Sequence, residues 1–220
     1  MEMKMSSADV PLSFLEYRLL FRDPIFESWT RDGGVISVVY QALREFGVGL
    51  ENITSEPNPK NAGEIRLVAE LASMRSTFVL RLGELGIIVN NPNWTEADSI
   101  LGMAQSGIRR IREKIGFVAS NQTISLALHI APRDRDVRTM IAGLVTLKMK
   151  LLDDSAPTGF GIATYFIDHS WVIDLSTIYP NALFIKWDRT HKADVSLSEI
   201  LGSIRNDQAS LLHQLGLEPT

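Results

Sequence analysis

Two stretches a hundred residues apart constrain this chain more than any other feature. In the first, Ala97, Leu101, Ala104, Ile108, Ile111 and Ile115 recur at steps of 4, 3, 4, 3 and 4. Apolar residues at that spacing fall on one stripe of an α-helix. In the second, Leu197, Leu201, Ile204, Gln208, Leu211 and Leu215 keep the same phase, with Gln208 interrupting the apolar stripe. Both pass through Ile-Leu-Gly, at Ile100–Gly102 and Ile200–Gly202, and each meets a stop glycine, Gly116 or Gly216. Glycine after a helix adopts the left-handed conformation that closes the last turn. Thr95 with Asp98, and Ser196 with Glu199, are spaced as capping boxes, and Val195 with Ile200 as a hydrophobic staple.

The remaining elements fit around these helices. Phe14–Phe21 alternates, with Leu15, Tyr17, Leu19 and Phe21 on one face, and predicts a half-buried strand. Val35–Gly47 carries a helical stripe that ends at Gly47. A short strand near Leu50–Ser55 leads to a Pro- and Asn-rich loop. Two strands follow, Glu64–Ala72 and Ser76–Asn91, joined at Ser73–Arg75. After Gly116 the order restarts: an alternating strand at Gln122–Ile130, a helix over Asp134–Leu151, and strands through Gly159–Asp168 and Ser170–Asp188. The helix from Ser196 closes the chain, and Phe78–Leu82 aligns with Trp171–Leu175. This order predicts an α+β fold of two tandem strand–helix–strands–helix halves, residues 1–117 and 118–220. Helices would cover mainly antiparallel sheet about a pseudo-two-fold.

Composition narrows the chemistry. Of 220 residues, 45% are hydrophobic and 22% charged, enough for a sizeable core. The net charge of −4 argues against a whole-protein grip on nucleic acid, and leaves only local basic patches for it. The absence of cysteine removes disulfides, thiolate nucleophiles and Cys-based metal sites. The N-terminal stretch has no secretory pattern and no run is long enough to span a membrane, so the expectation is a cytoplasmic protein without membrane contact.

No catalytic constellation emerges. Asp168, His169 and Ser170 are consecutive, but on one strand His169 would face away from the other two. Alignment of the halves places them in a turn. No Gly-x-Ser-x-Gly elbow, phosphate loop or paired-histidine motif is present, so neither metal nor cofactor is expected. The acidic pairs Asp134/Asp136 and Asp153/Asp154 flank the expected middle helix, the first pair at its favourable N-terminal end. Candidate binding residues are Arg109, Arg110 and Arg112, with Lys114, and then Arg133, Arg135 and Arg138. Gln208 joins them, because a polar group within an apolar stripe needs a partner, in a helix seam of the chain or of a dimer.

The segment "STFVLRLGELGIIVNNPNWTEADSILGMAQSGIRRIREKIG", which begins at Ser76, the strand "ISLALHI", and "LFIKWD" before a helix ending "LLHQLGL" resemble an uncharacterised, sporadically distributed family of bacterial proteins. The resemblance implies a bacterial protein with a duplicated α+β layout and brings no catalytic residues. The expected function is therefore a non-enzymatic interaction or assembly module with a protein partner, a second copy of the chain included. The alternative is a small-molecule-binding or hydrolytic enzyme with its pocket between the halves. Nucleic-acid binding through the arginine clusters is the third reading.

Overall fold

The computed structural model describes residues 5–26, 34–58, 61–92, 94–144 and 161–219. Alternation builds the strands. Along β1 (Ser6–Phe21), Ser13, Leu15, Tyr17, Leu19 and Phe21 are buried at every second position, as a half-buried strand requires. The chain continues through α1 (Gly34–Leu43), β2 (Ile53–Asn58), β3 (Asn61–Leu71), β4 (Ser76–Leu80), β5 (Glu84–Asn90) and α2 (Ala97–Ile115). Next come β6 (Ala119–Pro132), α3 (Val137–Leu144), β7 (Ile162–Tyr165), β8 (His169–Leu175), β9 (Leu183–Lys192), α4 (Leu197–Gln214) and β10 (Leu217–Pro219).

The expected architecture of two helix-covered strand–helix halves is corrected. The described residues form one ten-stranded sheet in the order β2-β3-β4-β5-β1-β6-β9-β8-β7, with β10 added in parallel to β1, and only four α-helices. The reason is pairing between strands far apart in sequence. Arg22 N–H donates to Val118 C=O and Arg133 N–H to Ser7 C=O, both at the β1–β6 seam. Two separate half-sheets would leave those backbone groups without partners.

Compactness divides the chain differently from its order. One unit comprises residues 1–13, 125–189 and 201–220; the other comprises 14–124 and 190–200. In the second unit, α1 packs on α2. Gly107 permits the approach: a Cβ there would meet Leu43 Cδ2 at 3.0 Å. The buried face of α2 is Ile100, Met103, Ala104, Gly107 and Ile111, while Ile108 and Ile115 of the expected stripe are only half-buried. In the first unit, the core gathers Leu126, Leu128 and Ile130 of β6, Ile173 of β8, Leu183 and Ile185 of β9, and Ile204 and Leu211 of α4.

Several local expectations resolve. Gly47, Gly116 and Gly216 all have positive φ, as stop residues should. Ser196 caps α4: its Oγ accepts from Glu199 N–H at 3.2 Å. α2 opens at Ala97 out of a 3-10 turn, with Glu96 at the N-cap and no side-chain cap bond; the Thr95 and Asp98 side chains lie outside the described residues. The expected loop after Ser55 is instead a β2–β3 hairpin. Of the expected middle helix, Val137–Leu144 is observed; residues 145–160, with Asp153/Asp154, lie outside the described residues.

Candidate functional site

The first cluster of expected binding residues lies along α2. Arg109 and Arg112 are exposed, three residues apart and so on neighbouring faces of the helix. Neither forms an ion pair among the described residues. Arg110 is different: its guanidinium is 2.7 Å from the Glu45 carboxylate, and Ser106 adds a hydrogen bond to the same carboxylate. It ties α2 to the 3-10 turn after α1. Lys114 is exposed in the last turn, where a cation suits the helix dipole.

Arg109 and Arg112 border a groove of about 230 Å³ within the second unit. Its base is Tyr17 and Leu19 of β1 and Gln122 of β6; Ala193, Val195 and Leu197 close the other side. Gln122 fixes this wall. It is buried, its Oε1 accepts from the Tyr17 hydroxyl at 2.7 Å, and its Nε2 donates to the Lys192 and Val195 carbonyls, both at 2.7 Å. Burial raises the Tyr17 hydroxyl far above its ordinary pKa, so it stays a donor. No lining residue of the groove is acidic.

The second cluster belongs to the other unit and is internally engaged. Arg133 makes a two-pronged bond to Asp9, at 2.7 and 3.2 Å, which raises the Arg133 pKa. Arg135 reaches the Leu215 carbonyl at 3.4 Å. Arg138 is exposed on α3. Asp136 accepts from Thr139 N–H at 2.8 Å and from its hydroxyl at 2.7 Å, bonds that lower its pKa and cap α3. Asn181 completes the turn, accepting from Val137 N–H at 3.0 Å and donating to Arg135 C=O at 3.1 Å. Asp134 accepts from the Ser6 hydroxyl. Gln208 is half-buried on α4 and its side chain makes no hydrogen bond among the described residues.

Two histidine arrangements bear on catalysis. His129 is buried on β6 against the rings of Tyr179 and Phe184, at 5.7 and 5.2 Å between centroids. Its Nδ1 is 2.9 Å from Ser176 Oγ. That hydroxyl oxygen already accepts the Ile178 and Tyr179 amides, at 3.2 and 2.9 Å, so its proton points to Nδ1. His129 is then a neutral imidazole, and burial lowers its pKa accordingly. The serine oxygen is occupied as a turn acceptor, which leaves it poorly placed as a nucleophile.

Asp168–His169–Ser170 sits elsewhere than expected by one or two residues. Phe166–Asp168 form the bend between β7 and β8, and His169 and Ser170 already belong to β8. Asp168 Oδ1 lies 2.8 Å from His169 Nδ1, a bond that lowers the Asp168 pKa. Ser170 follows His169 on the strand and so projects to the opposite face. The pair shapes the bend, with the His169 ring stacked on Phe166 at 4.2 Å and 11°.

That bend holds what sequence reasoning misses. Tyr165 is 76% exposed, Phe166 55%, and Ile167 fully exposed. Three consecutive large apolar residues read as strand interior but stand at a hairpin tip. The only signal is the lack of alternation. Among the described residues no group of histidines or carboxylates could hold a metal, and no helix is long and apolar enough to cross a membrane. No protein-family model matches the chain, and neither does any curated protein.

Proposed function

We propose that the protein is a non-enzymatic assembly module that pairs with a second copy of itself through strand β7. The supporting observation is an asymmetry between the ends of the sheet. β2 lies at one end and carries Glu56, Pro57 and a register shift at Pro57/Asn58. A charge, a proline and a bulge are the usual devices that stop an edge from pairing. Among the described residues β7 lies at the other end, reads Ile-Ala-Thr-Tyr, and has none of them. Its exposed residues run directly into the apolar tip Tyr165–Ile167. An uncharged edge meets its two-fold mate without like-charge repulsion, so antiparallel β7–β7 pairing is self-complementary. Phe166 N–H donates to His169 C=O at 2.8 Å, which sets the ladder phase and turns the amides of Ala163 and Tyr165 outward.

Light scattering coupled to gel filtration tests this reading. The expected result is a dimer that Ala163→Pro converts to monomer. That change removes an outward N–H and spares the β7–β8 bonds. Ile167→Asp should weaken the same dimer by charging its tip. A wild-type monomer at about 100 μM, or a dimer indifferent to both changes, refutes it.

A further inference from the structure

We propose that the groove beside α2 binds a small organic oxyanion, a carboxylate or phosphomonoester attached to a compact apolar body. Arg109 and Arg112 are two guanidinium groups without ion pairs among the described residues, in a chain whose net charge is −4. The third arginine of the cluster, Arg110, is neutralised by Glu45 and is not part of the groove. Guanidinium groups engage carboxylate and phosphate oxygens in two-pronged fashion, which lysine cannot reproduce. Gln105, one turn before Arg109 on the same helix, adds an amide donor to that rim.

Below the rim the lining turns apolar. Ile108 is half-buried and lines the groove, whereas Met103, Gly107 and Ile111 are buried. Leu19 and Leu197 continue that surface. The lining thus mixes polar and apolar surface in similar shares, which suits a ligand with an anionic head on a small apolar body. The volume of about 230 Å³ lies below the roughly 300–1,000 Å³ of drug-sized pockets, so the ligand is small. The wall is held in place before binding, because Gln122 fastens Val195 and Lys192 to the sheet at 2.7 Å each.

Titration calorimetry with four probes tests the proposal: phenyl phosphate, benzoate, inorganic phosphate and benzyl alcohol. Phenyl phosphate or benzoate should bind saturably, and about tenfold or more tighter than benzyl alcohol, which lacks the anion. Preference for phenyl phosphate over benzoate assigns the phosphomonoester, and the reverse assigns the carboxylate. Inorganic phosphate should bind more weakly than phenyl phosphate, because it leaves Ile108 and Leu19 uncovered. Arg109→Ala and Arg112→Ala should each weaken the anionic probes about tenfold, Arg112→Lys nearly as much, and Arg110→Ala less than about threefold. All of these positions are on the helix surface, so the variants remain folded. No saturable binding up to about 10 mM, or equal losses in the Arg110 and Arg112 variants, overturns the proposal. So does a preference for a short DNA duplex over phenyl phosphate, which would make this face a nucleic-acid surface.

Discussion

Replacing Gln122 with methionine isolates the interaction that shapes the groove. The side chains have similar length and volume, so packing changes little. Three hydrogen bonds are lost: one from the Tyr17 hydroxyl and two to the Lys192 and Val195 carbonyls. The two carbonyls belong to a partly exposed turn and regain water. Tyr17 is buried, and its hydroxyl would be left without an acceptor, a cost of about 1–3 kcal/mol on its own. The expected total loss is about 3 kcal/mol, read as a lower urea midpoint at unchanged slope. For a chain of this size it corresponds to a fall in Tm of roughly 6–12 °C. A cycle with Tyr17→Phe separates the pair. The double variant should lose about 1 kcal/mol less than the sum of the single losses, because phenylalanine no longer carries the stranded hydroxyl. A single-variant loss under about 1 kcal/mol would show that Gln122 does not hold this wall, and strict additivity would show that it is not coupled to Tyr17.

Three further outcomes follow from the same contacts. Ser196→Ala removes the cap of α4 and should cost about 1 kcal/mol in urea unfolding, whereas Ser196→Asp should preserve stability. His129 has a folded pKa below its ordinary 6.5, so the unfolded chain takes up the proton first as pH falls. Its contribution is present above about pH 6.5 and declines as pH drops from there toward the folded pKa. Unfolding measured from pH 7.5 to 5 should therefore show a stability decline that His129→Gln abolishes; an unchanged slope would contradict a buried neutral imidazole. Ile167→Asp should change monomer stability by less than about 0.5 kcal/mol, since that side chain is fully exposed, and a larger loss would mean that the tip is packed.

The legible parts of this fold are those where a local period meets a local signal. Leu15, Tyr17, Leu19 and Phe21 alternate and are buried. α4 has its stripe, its Ser196 cap and its Gly216 stop within one continuous segment. The first half of β1 is not visible in the sequence, because Pro11 interrupts a stretch whose burial does not alternate cleanly. The single sheet is not visible either. It depends on β1 meeting β6, through contacts such as Ser120 Oγ with Leu20 C=O, a hundred residues apart. No short-range pattern encodes which strand joins which.

The groove shows the same limit at the level of single residues. Composition marks Arg109, Arg110 and Arg112 as one basic cluster, and spacing does not rank them. What separates them is Glu45, 65 residues from Arg110, which neutralises one arginine and leaves the other two facing the groove. Spacing assigns Ile108 to the core because it fits a 4-3-4 stripe equally well. Among the described side chains of α2, Met103, Gly107 and Ile111 are buried instead, and a Cβ at Gly107 would press on Leu43 of α1. The small residue at 107 leaves room for Leu43 on that side of the helix, and Ile108 beside it lines the groove together with Arg109 and Arg112. A periodic pattern identifies that a helix has an apolar face. The residue that permits the closest approach decides which side of that face is core and which remains open to a ligand.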